Sequence, residues 1–316
     1  MTTTTRAASV MRAAEMYYIE QMTMDAIAET LGVSRATVSR MISEARTSGL
    51  VEITVHRHRR AAATLERLIA ERYHVDVTVV APPENANDTD RLRHAAAQAG
   101  TVLRAGLAPD LSIAIAWGAT VATMARTLTP GVVPGVQIVQ MSGAGNTFFS
   151  GAEYAAGTLG RLGAALGARV HHFPVPAFFD KATAREALWA ESSVQRVLRL
   201  QERANLAVFS VSALDARIPG HLYRAGYLQR DDLRNLLDRG VVGELGTVFM
   251  RADGSSDSIP LNTRSSGLPI ATLKRIRRRL CVAVGATKAP VIEAALLAGA
   301  VTDLVVDDAA AELLVG

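Results

Sequence analysis

Residues 24–40 read MDAIAETLGVSRATVSR and determine the fold that we predict for the start of the chain. The run predicts two helices, Met24–Leu31 and Arg35–Thr47, each preceded by a good N-cap residue. Gly32 separates them and permits a sharp turn, because glycine readily adopts positive φ. Helix, glycine-containing turn and helix are typical of a helix-turn-helix, which places its second helix in the major groove of DNA.

The second of these helices carries side chains that suit DNA. Arginine bonds guanine bidentately, serine and threonine reach phosphates or base edges, and a helix N-terminus favours phosphate. A pair of surface helices with solvated arginines is the alternative, but the complete run favours DNA binding. The predicted DNA-binding residues are Thr23, Ser34, Arg35, Thr37, Val38, Ser39 and Arg40.

The flanking residues extend this motif to a domain. Arg6–Gln21 has apolar residues at steps of three and four, which predicts an amphipathic helix, and Leu50–Val55 alternates like a short strand. Helices followed by such a strand predict a winged helix-turn-helix domain over residues 1–58. Basic residues after the wing could add contacts to the DNA backbone: Arg57, Arg59 and Arg60.

The composition of the 316-residue chain is that of a soluble globular protein, with 49% hydrophobic and 20% charged residues. The net charge of +4 is too small to predict nucleic-acid binding by itself. The single cysteine, Cys281, excludes an intramolecular disulfide, a zinc finger and an iron–sulfur cluster. No apolar run reaches the roughly 18 residues of a membrane span, and we recognise no signal peptide, so we expect a cytoplasmic protein.

From residue 59 onward, apolar strand candidates alternate with helices. Strands are predicted at Val75–Val80, Ser112–Trp117, Val136–Met141, Arg169–His172, Leu206–Ser210, Gly246–Phe249, Cys281–Val284 and Asp303–Val306. Helices are predicted at Ala61–Tyr73, Asp90–Ala105, Thr120–Leu128, Ala152–Leu166, Thr183–Ala190, Ser193–Glu202, Arg230–Arg239, Ile270–Arg278 and Ala289–Ala298. This alternation predicts an α/β domain with a mostly parallel sheet over residues 59–316. Ligands of such domains bind beyond the carboxyl ends of the strands.

Two strand ends suit an anionic ligand. Gly118, Ala119 and Thr120 connect a predicted strand to a helix N-terminus, where free N–H groups can hold phosphate; an ordinary turn is an equal alternative. Lys288 precedes another helix, where its charge opposes the dipole unless an anion is bound. A solvated lysine is the alternative, although only two other lysines, Lys181 and Lys274, occur in the chain.

Other polar residues give weaker signals. Glu244 could accept hydrogen bonds from sugar hydroxyls, or it could be a structural turn acid. His171 and His172 would face opposite sides of a strand, so we predict no metal site, and no spacing identifies a hydrolase. The basic run Lys274–Arg279 is expected to end a helix, with a tetramer or auxiliary DNA contact as the alternative. Cys281 is expected to be a buried small hydrophobe.

Short motifs in a specific order along nearly the whole chain resemble the SorC family of bacterial sugar-binding transcriptional regulators. They are Met24–Arg40, Trp117–Thr120, Gly226–Leu228, Gly240–Glu244, Asp253–Gly254, Gly285–Ala289, Ala294–Leu296 and Thr302–Asp307. The resemblance implies a winged helix-turn-helix followed by a Rossmann-like domain related to sugar-phosphate isomerases. It also implies a phosphorylated sugar or polyol as effector, and dimers or tetramers bound to operator DNA.

The resemblance further implies the effector site. Gly118–Thr120 and Lys288 would hold the phosphate, Glu244 would hold hydroxyls, and Ser142 and Gly143 would line the pocket. Two departures affect this expectation. Ser142 stands where some members carry a lysine that can form a Schiff base, so covalent capture is not expected. Ser210-Val211-Ser212 replaces a Gly-x-Gly that the family often has, which leaves the pocket shape open.

These observations predict a DNA-binding regulator, without a cofactor or catalytic residues, whose α/β domain binds the effector and forms oligomers. Two alternatives stay open. The first is a sugar-phosphate isomerase or lactonase with an added DNA-binding domain, in which Glu244 acts as a base. The second is a DNA-binding protein whose α/β domain serves only oligomerisation.

Overall fold

Local sequence signals set the ends of the helices at the start of the chain. In the computed structural model, the described part of this region contains α1 (Thr3–Tyr18), α2 (Met24–Leu31) and α3 (Arg35–Thr47). Thr23 Oγ1 accepts from Ala26 N and Ser34 Oγ accepts from Thr37 N, so both helix starts are capped. Gly32 ends α2 with φ 63°. The predicted bounds of α2 and α3 are confirmed, whereas α1 lies nearer the N-terminus than predicted.

The structure describes residues 3–51, 57–83, 85–146, 151–214, 221–224 and 226–316. The chain divides into two compact units, Met1–Arg57 and His58–Gly316. Most of the predicted wing strand, Leu50–Val55, lies outside the described residues, and its described residues, Leu50 and Val51, are not in a strand. The side chains of Arg57, Arg59 and Arg60 also lie outside the described part.

A small apolar core holds the three helices of the first unit together. Met16 of α1, Ile27 of α2, and Val38 and Ile42 of α3 are almost completely buried in one cluster. The buried positions of α3, Val38, Ile42 and Ala45, are spaced by four and three residues, so its opposite face is left to solvent.

The second unit alternates strands and helices, as predicted. Its described strands are β1 (Asp76–Val80), β2 (Ser112–Ile115), β3 (Gln137–Gln140), β4 (Arg169–His171), β5 (Leu206–Phe209), β6 (Val211–Ala213), β7 (Val241–Leu245), β8 (Val248–Arg251), β9 (Arg278–Ala283) and β10 (Asp303–Asp307). Its described helices are α4 (Arg57–Tyr73), α5 (Asp88–Ala105), α6 (Ala119–Thr127), α7 (Gly151–Leu166), α8 (Ala182–Trp189), α9 (Ser192–Glu202), α10 (His221–Arg224), α11 (Arg230–Asp238), α12 (Pro260–Arg264), α13 (Ile270–Leu273), α14 (Ala289–Leu297) and α15 (Asp308–Val315). None of the described helices is long and apolar enough to cross a membrane.

Two sheets organise the described residues of this unit. Seven strands pair in the order β1-β10-β9-β5-β2-β3-β4, and all their pairings are parallel. The strands β6, β7 and β8 form a smaller antiparallel sheet. The mostly parallel α/β architecture predicted for this part of the chain is therefore confirmed.

Helices cover both faces of the parallel sheet. Ile113 and Ile115 of β2 join one core with α5, α6 and α7, whereas Ala114 of the same strand joins another core with α4, α9, α14 and α15. This alternation follows from the period of two in a strand. Because the strands are parallel, their carboxyl ends meet at one edge.

Two predicted elements are wrong. Residues 240–246 are interpreted from the sequence as a turn that precedes a strand starting at Gly246. In the structure Val241–Leu245 form strand β7, which contains Glu244. The predicted helix Ile270–Arg278 stops at Leu273, and Arg278 begins strand β9. Arg278 pairs with Asp303 on the neighbouring strand at 2.7 Å, so the basic run does not end a helix as predicted.

Candidate functional site

A cavity of about 80 Å³ lies where the carboxyl ends of the parallel strands meet the antiparallel sheet. It is lined by Ala116, Trp117, Gly118, Ala119, Thr120, Ser142, Ser210, Ser212, Leu222, Glu244, Gly246, Thr247 and Lys288. All the residues that the sequence predicts for an effector site line this cavity, with the exception of Gly143. Segments far apart in the chain therefore converge here.

The N-terminus of α6 forms one side of this cavity. Gly118 precedes the helix with φ 143°, a conformation that disfavours other residues, and no side chain caps the helix start. The N–H groups of the first helical turn have no intrahelical acceptor, so they can bind an anion. Thr120 is buried at this turn, and its hydroxyl accepts a hydrogen bond from Ser210 at 3.2 Å.

Lys288 lies at the end of a short 3-10 helix, Ala286–Lys288, that leads from β9 into α14. Gly285 opens this turn with φ 99°, and its N–H donates to Asp307 Oδ1 at 2.9 Å. The Lys288 backbone N–H donates to the carbonyl of Gly285 at 2.9 Å, whereas its side chain makes no hydrogen bond or ion pair with the described residues. Burial of its ammonium group lowers the pKa of Lys288, an effect opposed by Cys281, Glu244 and Asp307. The site therefore holds a lysine that has no direct counterion among these residues.

Glu244 contributes a carboxyl group from the middle of β7. It is 6% exposed, and its Oε2 accepts from Thr247 N at 2.7 Å. Thr247 and Gly246 form the turn between β7 and β8 with φ values of 73° and 53°. Burial raises the pKa of Glu244, although the Thr247 N–H, the Ser212 hydroxyl and Lys288 oppose the rise. The group can accept hydrogen bonds from hydroxyls and, when protonated, can also donate one.

The raised pKa of Glu244 predicts a pH dependence of stability. The folded chain keeps a proton on Glu244 at a pH where the unfolded chain has lost it. The free energy of unfolding should therefore fall as the pH rises from the ordinary glutamate pKa to the raised value. Glu244→Gln should remove this fall, with a difference on the order of 1 kcal/mol. Urea titrations across roughly pH 4 to 8 measure it, and parallel profiles of the two proteins would contradict it.

Ser142 and Gly143 have different positions at the end of β3. Ser142 is buried in the cavity wall, and its carbonyl accepts from Gln140 Nε2 at 2.7 Å. Gly143 packs behind the wall: its N–H donates to Ser266 Oγ at 2.9 Å, and its carbonyl accepts from Trp117 Nε1 at 3.0 Å. A Cβ atom on Gly143 would lie 2.2 Å from the carbonyl oxygen of Val175. Gly143 is therefore corrected from a lining residue to one that permits close backbone packing.

The cavity also contains residues that sequence reasoning did not assign to the site. They are Ala116, Trp117, Ser210, Ser212, Leu222, Gly246 and Thr247. A signal existed for the two serines, because both belong to Ser210-Val211-Ser212, the segment that departs from the family pattern; Ser210 follows the end of β5 and Ser212 lies in β6. The other residues depend on how the antiparallel sheet meets the parallel one, which no local pattern encodes.

Larger depressions also occur on the same unit. One of about 610 Å³ lies at the amino ends of the strands and includes Asp76, Arg278 and Asp303. There Arg278 is already paired with Asp303, so its charge is compensated. Among the described residues, no group of three or more His, Cys, Asp or Glu side chains could hold a metal ion.

In the first unit, most of the predicted DNA-binding residues of α3 face solvent. Ser34, Arg35, Ser39 and Arg40 are exposed, and Thr37 is half-buried. Arg35 lies 3.4 Å from Asp25, and Arg40 donates to Thr37 Oγ1 at 3.3 Å. Exposed interactions of this kind are weak, so both guanidinium groups are available to another partner.

Two other residues of the predicted DNA-binding set have structural roles. Val38 is 0% exposed in the core of the first unit, so its side chain cannot reach DNA and its predicted role is corrected. It lies on the inner face of α3 because the helical repeat turns that position toward α1 and α2. Thr23 is exposed, but its hydroxyl caps α2.

Sequence comparisons identify two families. The family described as "Putative sugar-binding domain" matches residues 58–316, and the family described as "Sigma-70, region 4" matches residues 12–48. The second match covers α2 and α3, which supports a helix-turn-helix in the first unit. The first match covers the whole unit that contains the cavity.

Known proteins resemble the chain over most of its length. The deoxyribonucleoside regulator of Bacillus subtilis is 29% identical, with 96% of each chain covered. A crystal structure of a domain of a "possible sugar-binding transcriptional regulator" from Arthrobacter aurescens is 42% identical, with a TM-score of 0.77, and the match covers 81% of this chain and 98% of that one.

The full-length sorbitol operon regulator SorC of Klebsiella pneumoniae is similar in fold to most of the chain. Its TM-score is 0.73 at 21% identity, and the match covers 97% of this chain and 98% of that one. Together with the family matches, these similarities show that the chain belongs to the SorC family of sugar-binding transcriptional regulators.

Proposed function

We propose that the chain is a transcriptional regulator that binds operator DNA through α3 and binds a phosphorylated sugar or polyol in the cavity of the second unit. The observation that carries this proposal is Lys288, a lysine without a counterion beside the uncapped N-terminus of α6. Lys288 is half-buried, and a partly desolvated charge without a partner is costly, so an anionic ligand would offset that cost.

The remaining lining residues suit the rest of such a ligand. In our proposal the phosphate binds the N–H groups of Gly118–Thr120 and the Lys288 ammonium group. Glu244 and the hydroxyls of Ser142, Ser210 and Ser212 bind the hydroxyls of the sugar or polyol. The name of the deoxyribonucleoside regulator, which points to a sugar-containing compound, supports this ligand class.

We propose that ligand binding changes DNA affinity by a population shift. In this mechanism residues 59–316 form a Rossmann-like domain that also joins chains into dimers or tetramers, and residues 1–58 form a winged helix-turn-helix domain. The ligand favours one arrangement of the subunits, and this arrangement sets the spacing between two recognition helices. Half-sites of the operator then match or mismatch that spacing.

An enzymatic role is the second candidate, because burial raises the pKa of Glu244 and such carboxyl groups can act as general bases. Similarity to proteins named as regulators favours a binding role, and we propose that the chain does not turn over its ligand. Incubation of the purified protein with sugar phosphates, followed by product analysis, distinguishes the two. Isomerisation or hydrolysis of a sugar phosphate that Glu244→Gln abolishes would support the enzymatic role.

A thermal-shift experiment tests the ligand class. The panel contains glucose 6-phosphate, fructose 6-phosphate and ribose 5-phosphate, each beside its unphosphorylated parent, with inorganic phosphate as a further control. At about 100 times its Kd, a ligand stabilises the folded state by about 2.7 kcal/mol. We expect at least one sugar phosphate to raise Tm more than its parent and more than phosphate. Equal shifts from parent sugars would contradict a phosphorylated effector.

A further inference from the structure

Helix α4 is the element through which the chain passes from the first unit into the second. Ile69 of α4 is completely buried, and it belongs to the same core as residues of α14 and α15. The backbone N–H of Val79 on β1 donates to Glu66 of α4 at 2.8 Å. The carboxyl-terminal half of α4 is thus anchored to the body of the second unit.

The last two residues of α4 bind a carboxylate on α14. Tyr73 Oη donates to Glu293 Oε1 at 2.8 Å, and Arg72 Nη2 donates to the same oxygen at 3.3 Å. Burial and the hydrogen bond to Glu293 raise the pKa of Tyr73 to about 12, so the phenol remains a donor at neutral pH. Glu293 therefore ties the end of α4 to α14.

The same two residues also reach the end of α15. Arg72 Nη1 donates to the carbonyl of Leu314 at 3.0 Å, and Tyr73 Oη lies 3.4 Å from it. At the other end of α15, Asp307 accepts from Ala310 N as the N-cap residue. The end of α4 is therefore held by two helices at once.

Both helices lead back to the segment that contains Lys288. Helix α14 begins directly after Lys288, which is its N-cap residue. Asp307, the N-cap of α15, also accepts the N–H of Gly285, which opens the Lys288 turn. Arg91 Nη1 donates to the second oxygen of Asp307 at 3.2 Å, so Asp307 links the Lys288 turn to α5 as well as to α15. A shift of the Lys288 turn would consequently displace both helix starts.

We propose that Glu293 is a positioning residue that transmits ligand binding at Lys288 to α4, and through α4 toward the DNA-binding unit. This inference rests on the proposed function of the cavity. Glu293 lies five residues after Lys288 on a rigid helix, about 7.5 Å along its axis, so movement of the helix start reaches it directly. Coupling requires contacts that differ between two states, and the bonds of Glu293 to Arg72 and Tyr73 are the contacts that would differ.

The test compares DNA affinity with and without ligand in Glu293→Ala, Tyr73→Phe and wild type. The probes are the three sugar phosphates of the panel and a labelled duplex selected by the full-length protein from a random pool. In the wild type we expect a ligand-dependent change in duplex Kd within the range of about 5- to 150-fold that is common for allosteric coupling. In both variants we expect the ratio between the duplex Kd with ligand and the duplex Kd without ligand to approach one. The Kd for the sugar phosphate should stay within about twofold of wild type.

Glu71→Ala is the matched control, because it breaks an exposed ion pair with Arg67 on the same helix. It should keep the wild-type ratio. Glu293→Gln should recover part of the ratio, because its amide oxygen can still accept from Tyr73. A wild-type ratio in Glu293→Ala would overturn the role of Glu293 and leave the cavity assignment intact. Absence of both binding and response in the wild type would overturn the proposed function, and the coupling with it.

Discussion

At sugar phosphate concentrations near the wild-type Kd, Lys288→Ala should abolish the response of DNA binding while operator affinity in the absence of ligand is kept. The ammonium group is the unpaired cation of the cavity, and charge-assisted hydrogen bonds contribute about 1.5–3 kcal/mol each. Loss of the charge should weaken sugar phosphate binding by about 10- to 100-fold. Isothermal titration calorimetry measures the affinity, and gel-shift titrations with and without ligand measure the response.

Lys181→Ala and Lys274→Ala are matched controls, because they remove the other two lysines of the chain, both of which are exposed. Neither should change the response. Lys288→Met adds a separate readout: burial disfavours the charged lysine, so the ligand-free Met variant should be at least as stable as wild type. A large loss of stability in Lys288→Met, or an intact response in Lys288→Ala, would contradict the assigned role.

The helix-turn-helix was predictable because its signals are local. Thr23, Gly32 and Ser34 each act on backbone within a few residues, as caps or as a left-handed turn, so they fix the bounds of α2 and α3. The wing prediction has no comparable test, since most of Leu50–Val55 lies outside the described residues. Val38 shows the limit of this reasoning: it lies among polar residues in sequence, but the helical repeat turns it into the core.

The candidate site was only partly predictable, because it depends on strand order. Glycine-flanked strand ends marked Gly118 and Lys288, but no local pattern indicates that β9 and β2 both flank β5. Strand β7 was missed because Gly240, Gly243 and Gly246 resemble turn residues. Gly243 is instead required by packing, since a Cβ atom there would lie 2.3 Å from the carbonyl oxygen of Ser212. Such a close approach between strands is invisible until the fold is known.

Arg35→Ala and Arg40→Ala should each weaken operator binding without unfolding the first unit. Both side chains project into solvent from the first two turns of α3, and their contacts with Asp25 and Thr37 are exposed. An arginine that reads guanine contributes about 1–3 kcal/mol of discrimination. Its replacement by alanine should therefore lower operator affinity about 5- to 100-fold and relax specificity at one position. Fluorescence anisotropy with the selected duplex and single-base variants measures both effects.

The pattern of loss then identifies the type of contact. Replacement of an arginine that binds phosphate should weaken binding to all duplexes equally and lower the salt dependence of binding. Replacement of a base-reading arginine should instead remove the preference for one base. Arg12→Ala is the control: Arg12 lies on α1 and pairs with Glu20 at 2.6 Å, so its loss should leave both readouts unchanged. Unchanged affinity in both α3 variants, with circular dichroism and Tm as in wild type, would exclude α3 as the recognition helix.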